Sequence, residues 1–179
     1  MNRTKATIAI SIALSIVATT LILPILAPLI RELHLSVVQG GLMLSIGSVA
    51  MVVAAPLWGI VSDRYGRKKT IVAGFLGVFA GYAVYTLVVV GGLSGAMSVT
   101  AIFLALTASR AFVGAFLSAV PSGAQALMAD ITSPSERAGG MAIIGGATGL
   151  GLIVGPAVSG VLVAGGITWP LYAATALCA

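Results

Sequence analysis

Acidic side chains are scarce in this chain. Glu32, Asp63, Asp130 and Glu136 are the only four in 179 residues, and none lies deep inside an apolar run. That leaves too few carboxylates for an acid–base pair at a membrane face or for a metal cage. A single histidine, His34, and a single cysteine, Cys178, provide no zinc ligand set and no internal disulfide. No Gly-x-x-x-x-Gly-Lys-Ser/Thr segment occurs, so the chain has no ATP-phosphate loop of that kind. No catalytic residue, metal or cofactor is expected, and the chain is not read as an enzyme.

Apolar residues fill the space that the missing charges leave. Hydrophobic residues make up 59% of the chain, charged residues 7%, and the mean hydropathy is +1.16. A bilayer core about 30 Å thick needs roughly 20 apolar residues in helix. Runs of that size fall at about 7–30, 40–61, 70–90, 99–128 and 138–164. A sixth begins near residue 168 and stops at 179, a rise of only about 18 Å. The expectation is an all-α polytopic membrane protein whose one bundle, residues 1–179, sits in the lipid bilayer with its sixth helix truncated. The chain is thus expected to be the front part of a longer protein. Arg3 and Lys5 before the first run imitate a signal peptide, but the run is too long and lacks a convincing cleavage site. It is read as a retained first span.

The net charge of +5 is distributed by side. Arg3, Lys5, Arg64, Arg67, Lys68, Lys69 and Arg137 share one face if the N-terminus is cytoplasmic, Arg31 is outside, and Arg110 is inside a span. This is the positive-inside bias. It predicts a cytoplasmic N-terminus in the plasma (inner) membrane, and it makes nucleic acid an unneeded explanation for the charge.

Local signals refine the spans. Pro24 and Pro28 should bend the first near its outer end. Ser36 and Gln39 have capping-box spacing, and so do Ser133 and Glu136, with Pro134 placed for the first helical turn. Trp58 and Trp169 are expected at membrane interfaces. Ser11, Ser15 and Thr19 make a hydroxyl stripe open to either cleft or packing. Spans one to three and four to six share a loop rhythm, the pattern of an internal three-helix repeat.

The densest charge lies in residues 59–69, where Gly59, Asp63, Arg64, Gly66, Arg67, Lys68 and Lys69 separate two apolar runs. Positive-inside needs the cations but explains neither Asp63 nor the glycines, which permit close approach and tight turning. This segment resembles the signature loop between helices 2 and 3 of the major facilitator superfamily. The resemblance implies that Asp63 and Arg67 join a cytoplasmic charge network that closes the inner side of the outward-open state. Asp130 stands where the family places an acid at the end of helix 4, which implies an Asp63–Arg67–Asp130 relay. Glu136 and Arg137 are further candidate partners.

Arg110 falls about eleven residues into the fourth span. A lone arginine there costs at least about 2.5–3.5 kcal/mol if it faces lipid, so it should face a cavity or a partner. Thr107, Arg110, Gly114, Ser118, Pro121 and Gln125 recur at helical spacing and should line a central cleft. Arg110 and Gly114 also resemble the helix 4 motif of the same family, with Val113 departing from it. That likeness implies proton coupling or the binding of an anionic group. In the fifth span, Ala147, Gly151, Gly155 and Ser159 give a flat face for close helix contact. With Pro156 and Gly160 they resemble the motif of exchangers within the family.

The resemblance implies the N-terminal six-helix half of a secondary transporter. The expected activity is proton-coupled efflux of small organic molecules by alternating access, completed by a missing C-terminal six-helix half. The absence of an embedded acid disfavours strongly cationic substrates. A symporter or uniporter of a metabolite or sugar is the alternative, as is a truncated membrane fragment without transport.

Overall fold

A segment that is apolar on all sides must satisfy its backbone internally, and the helix is the way a single segment does so. The computed structural model describes residues 3–179, and helix dominates it. The helices are α1 (Arg3–Thr20), α2 (Leu23–Glu32), α3 (Val37–Tyr65), α4 (Arg67–Leu93), α5 (Val99–Leu117), α6 (Ala119–Asp130), α7 (Arg137–Leu162) and α8 (Trp169–Leu177). A 3-10 turn, Val163–Gly165, leads from α7 towards α8. Five stretches are long and apolar enough to cross a membrane: α1 with α2, α3, α4, α5 with α6, and α7 with its following turn.

Two expected single helices are broken. The first span parts at Leu21 and Ile22, and the fourth at Ser118. Each break lies two or three residues before a proline, Pro24 or Pro121, whose missing N–H leaves the carbonyl four residues earlier, that of Thr20 or Leu117, without its donor. Pro56 and Pro156 nevertheless sit inside continuous helices, so proline alone does not decide. Leu21, Ile22, Ser118, Ala119 and Val120 are all buried, whereas Val52, Val53 and Leu57 around Pro56 are exposed. Tertiary packing holds the bend where it occurs.

The Ser36–Gln39 capping box forms, with Ser36 N–H donating to Gln39 Oε1 at 2.8 Å and Gln39 N–H donating to Ser36 Oγ at 3.2 Å. The second box does not. α7 begins at Arg137, Ser133 Oγ lies 3.1 Å from Ser135 Oγ, and the Glu136 carboxylate turns to Lys5 at 3.7 Å. An ion pair has taken the acid that back-capping required. Trp58 is held by a neighbouring helix: its Nε1–H donates to Ala115 O at 2.7 Å, and its ring tilts against Phe116.

Helices in lipid gain little from burying apolar surface against each other, so close packing of small residues carries much of the association. α3 lies along α5, α1 along α7, and α4 against α5 and α6. A Cβ at Gly74 would meet Val120 and Ala119, and one at Gly81 would meet Val113, so α4 approaches α5 and α6 through its glycines. One buried core gathers around Leu21, Ile25, Tyr82, Tyr85, Leu106 and Leu171; a second joins Ile8, Ile12, Ala124, Met128 and Ile144.

Candidate functional site

Gly66 makes the turn on which the first constellation depends. Its φ of +101° is a conformation that side-chain-bearing residues rarely adopt, and it separates α3 from α4 by a single residue. Among the described residues nothing lies within 4 Å of the position that a Cβ at Gly59 would take, so none of them approaches it closely. Arg64 extends over the neighbouring Tyr65 ring at 5.6 Å, and Lys68 is exposed.

Arg67 is bonded on two sides. Its Nη1 pairs with Asp63 Oδ1, its Nε donates to Asp130 Oδ2 at 3.0 Å, and Nη1 also reaches Ser62 Oγ at 3.3 Å. Each of the three charges stands against its own helix dipole. Arg67 opens α4, Asp63 lies in the last turn of α3, and Asp130 closes α6. Apart they would each be disfavoured; together they neutralise one another and tie α6 to the α3–α4 turn. The side chains are 24% (Arg67), 67% (Asp63) and 53% (Asp130) exposed, so the tie is weak and easily reversed. Glu136 pairs with Lys5 rather than with this cluster.

The second constellation surrounds Arg110, which is 8% exposed. A cavity of about 170 Å³ is bounded by Arg110 and Gly114 of α5, Leu44, Gly47 and Ser48 of α3, and Thr19 of α1. A Cβ at Gly114 would strike the Gly47 carbonyl, and one at Gly47 would lie 3.2 Å from Arg110 O. The two glycines therefore set the distance between α3 and α5, and with it the position of the arginine. Among the described residues Arg110 has no ion-pair partner. Its guanidinium lies 6.0 Å from the Tyr85 ring centroid, and the hydroxyls of Tyr82 and Tyr85 are buried without a hydrogen-bond partner.

The remaining stripe residues serve packing or lie away from the cavity. Thr107 donates to Phe103 O at 2.7 Å, Ser118 donates to Ala115 O at 3.0 Å, Pro121 is half-buried beyond the break, and Gln125 is exposed. The hydroxyl stripe of α1 divides: Thr19 lines the cavity, while Ser15 is buried and bonded to Ile12 O at 2.9 Å.

On α7, Gly151 and Gly155 are buried against α1. A Cβ at Gly151 would lie 2.7 Å from Ile16 Cβ, and Thr20 Oγ1 donates to Gly151 O at 3.2 Å. Pro156 is half-buried, and Gly160 is exposed, with none of the described residues within 4 Å of where its Cβ would be. The motif is thus split between a contact face and an open one.

Comparison with known proteins adds the decisive observation: the sequence model of the Major Facilitator Superfamily matches residues 8–179. The chain belongs to that superfamily. It is 29% identical over 170 residues to the tetracycline resistance protein, class C, of Escherichia coli, covering 93% of this chain and 40% of that protein. It is 34% identical over 134 residues to the major facilitator superfamily domain-containing protein 10 of Bos taurus, covering 75% and 26%. Multidrug resistance protein 2 of Bacillus subtilis (strain 168) is 27% identical over 157 residues, covering 88% and 36%. The chain spans less than half the length of each of these relatives, in keeping with a six-helix half of the fold.

Sequence reasoning missed Tyr82 and Tyr85. Their three-residue spacing inside an apolar span was the available signal, since a buried tyrosine ordinarily requires a partner for its hydroxyl. It also missed the Gly74 and Gly81 contacts on the same helix.

Proposed function

We propose that this chain forms half of a proton-coupled exporter of small organic molecules, working by alternating access. The observation that carries the reading is Arg67, shared between Asp63 and Asp130 so that α6 and the α3–α4 turn close against each other. A weak, exposed cluster at one end of a bundle suits a latch that opens in each cycle. Arg110 supplies the complementary part at the cavity. A cation with no ion-pair partner among the described residues is ready for an anionic substrate group, or for a partner that changes protonation. Because no acid among the described residues borders the cavity, strongly cationic substrates suit it poorly.

Export rather than import is supported by the relatives themselves, which include tetracycline and multidrug resistance proteins. The α7 face at Gly151, Gly155, Pro156 and Gly160 is assigned to antiport on its resemblance to the exchanger motif. The same reading places the N-terminus in the cytoplasm of a plasma (inner) membrane and pairs the chain with a second six-helix half. Everted vesicles containing the protein provide the test. An acid interior should drive accumulation of an amphiphilic dye, and a protonophore should abolish it. Accumulation driven by a proton gradient in the same direction as the dye would indicate symport and overturn the assignment.

A further inference from the structure

The fourth span meets different neighbours on the two sides of its break at Ser118. Before the break, Gly114 of α5 packs on Gly47 of α3. After it, α6 leans on α4. A Cβ at Gly74 would meet Ala119 and Val120, and one at Gly123 would lie 2.9 Å from Ile71 Cγ1 and 3.2 Å from Arg67 O. The joint between the two parts sets the direction in which α6 carries Asp130.

That joint is held by side chains. Pro121 has no N–H to offer Leu117 O. The carbonyl of Ala115, in the last turn of α5, accepts from Trp58 Nε1–H at 2.7 Å and from Ser118 Oγ at 3.0 Å. The serine bonds back to its own span, an arrangement that favours a bend. The tryptophan bond crosses from α3, and indole has a single N–H to give. Its ring centroid lies 5.3 Å from that of Phe116, whose own ring occupies the space left by the missing side chain of Gly77 on α4. Thus α3 and α4 grip α5 within three residues of the joint.

We infer that Trp58 pins a hinge at Ser118. Its bond to Ala115 O fixes the bend between α5 and α6, and the bend positions Asp130 against Arg67. The twelve residues of α6 extend about 18 Å, so a change of bend of about 20° would carry the far end some 6 Å, on the order of one helical turn. The 3.0 Å contact between Arg67 Nε and Asp130 would not survive that swing. Trp58 is a positioning residue: it lines no part of the Arg110 cavity and belongs to no ion pair. That the positioned contact is a transport latch rests on the function proposed above; the hinge does not.

Hydrogen–deuterium exchange of the protein in lipid nanodiscs, read by mass spectrometry, tests the hinge without any transport assay. Trp58→Phe retains an aromatic ring beside Phe116 and loses the N–H. Amides of residues 118–122 should then exchange about fivefold faster, the worth of one neutral hydrogen bond. Amides of residues 102–106, one to two turns nearer the start of α5, should be unchanged. Pro121→Ala, which gives Leu117 O a donor, should slow exchange at the joint and cancel the increase when combined with Trp58→Phe. Unchanged exchange at residues 118–122 in Trp58→Phe would overturn the assignment, and so would an equal rise at residues 102–106, which would mark Trp58 as packing alone. Should Trp58→Phe fail to fold, Pro121→Ala decides by itself: unaltered exchange at the joint would mean that no hinge is there.

Discussion

In the proposed function Arg110 is a residue that costs stability and serves transport. Its guanidinium is nearly enclosed, yet no ion-pair partner is found among the described residues, and two tyrosine hydroxyls close by also go unpaired. Buried hydroxyls without partners are rare enough that two beside an arginine lacking an ion pair need a reason, and in the proposed function a substrate or proton that visits the cavity provides one. Arg110→Lys retains the charge but loses the planar fork. Apparent substrate affinity in the vesicle assay should fall on the order of 10- to 100-fold, the usual worth of a charged hydrogen-bonding group. Unchanged affinity would remove Arg110 from the substrate path. This residue was legible in the sequence because a lone arginine in an apolar run is expensive under any arrangement. Tyr82 and Tyr85 were not, because an apolar span accepts a tyrosine equally well at its surface, and only the fold reveals that these two are enclosed.

Helices record a different balance between local rule and packing. The glycine face of α7 was readable from its four-residue spacing, but its partner was not. The structure pairs it with α1, through Ile16 and Thr20. Gly151→Ala should therefore lower the thermal midpoint, with a crowding cost of about 1–3 kcal/mol. Gly160→Ala, where nothing lies nearby, should leave it unchanged or raise it slightly, since alanine favours helix. Equal shifts for the two variants would mean that the α1–α7 contact does not depend on this face. The breaks at Leu21–Ile22 and Ser118 were only half readable. Proline marks where a helix can open, but Pro56 and Pro156 show that the surrounding packing chooses. The start of α7 misled for a similar reason: the Ser133–Glu136 spacing suits a capping box, but Lys5, 131 residues earlier, holds the acid.

At the scale of the whole molecule the two halves of the chain repeat. The opening span of each block is interrupted, after Thr20 and after Leu117, and each second helix carries a proline at its twentieth position, Pro56 counted from Val37 and Pro156 counted from Arg137. Matching interruptions at matching depths support a duplicated three-helix unit better than the sequence alone, where side-chain identity between the blocks is weak. The blocks meet at the cytoplasmic cluster of the proposed orientation, with Asp63 and Arg67 from the first and Asp130 from the second. The central claim is that this meeting point is a latch. After Cys178→Ala removes the native thiol, Ser48→Cys places a reporter on the cavity wall, and an impermeant maleimide is added from the cytoplasmic side. The account predicts slow labelling with the latch intact and labelling about threefold faster or more once Asp130→Asn weakens it, a shift on the scale of one exposed ion pair. Equal labelling rates with and without Asp130→Asn would contradict it.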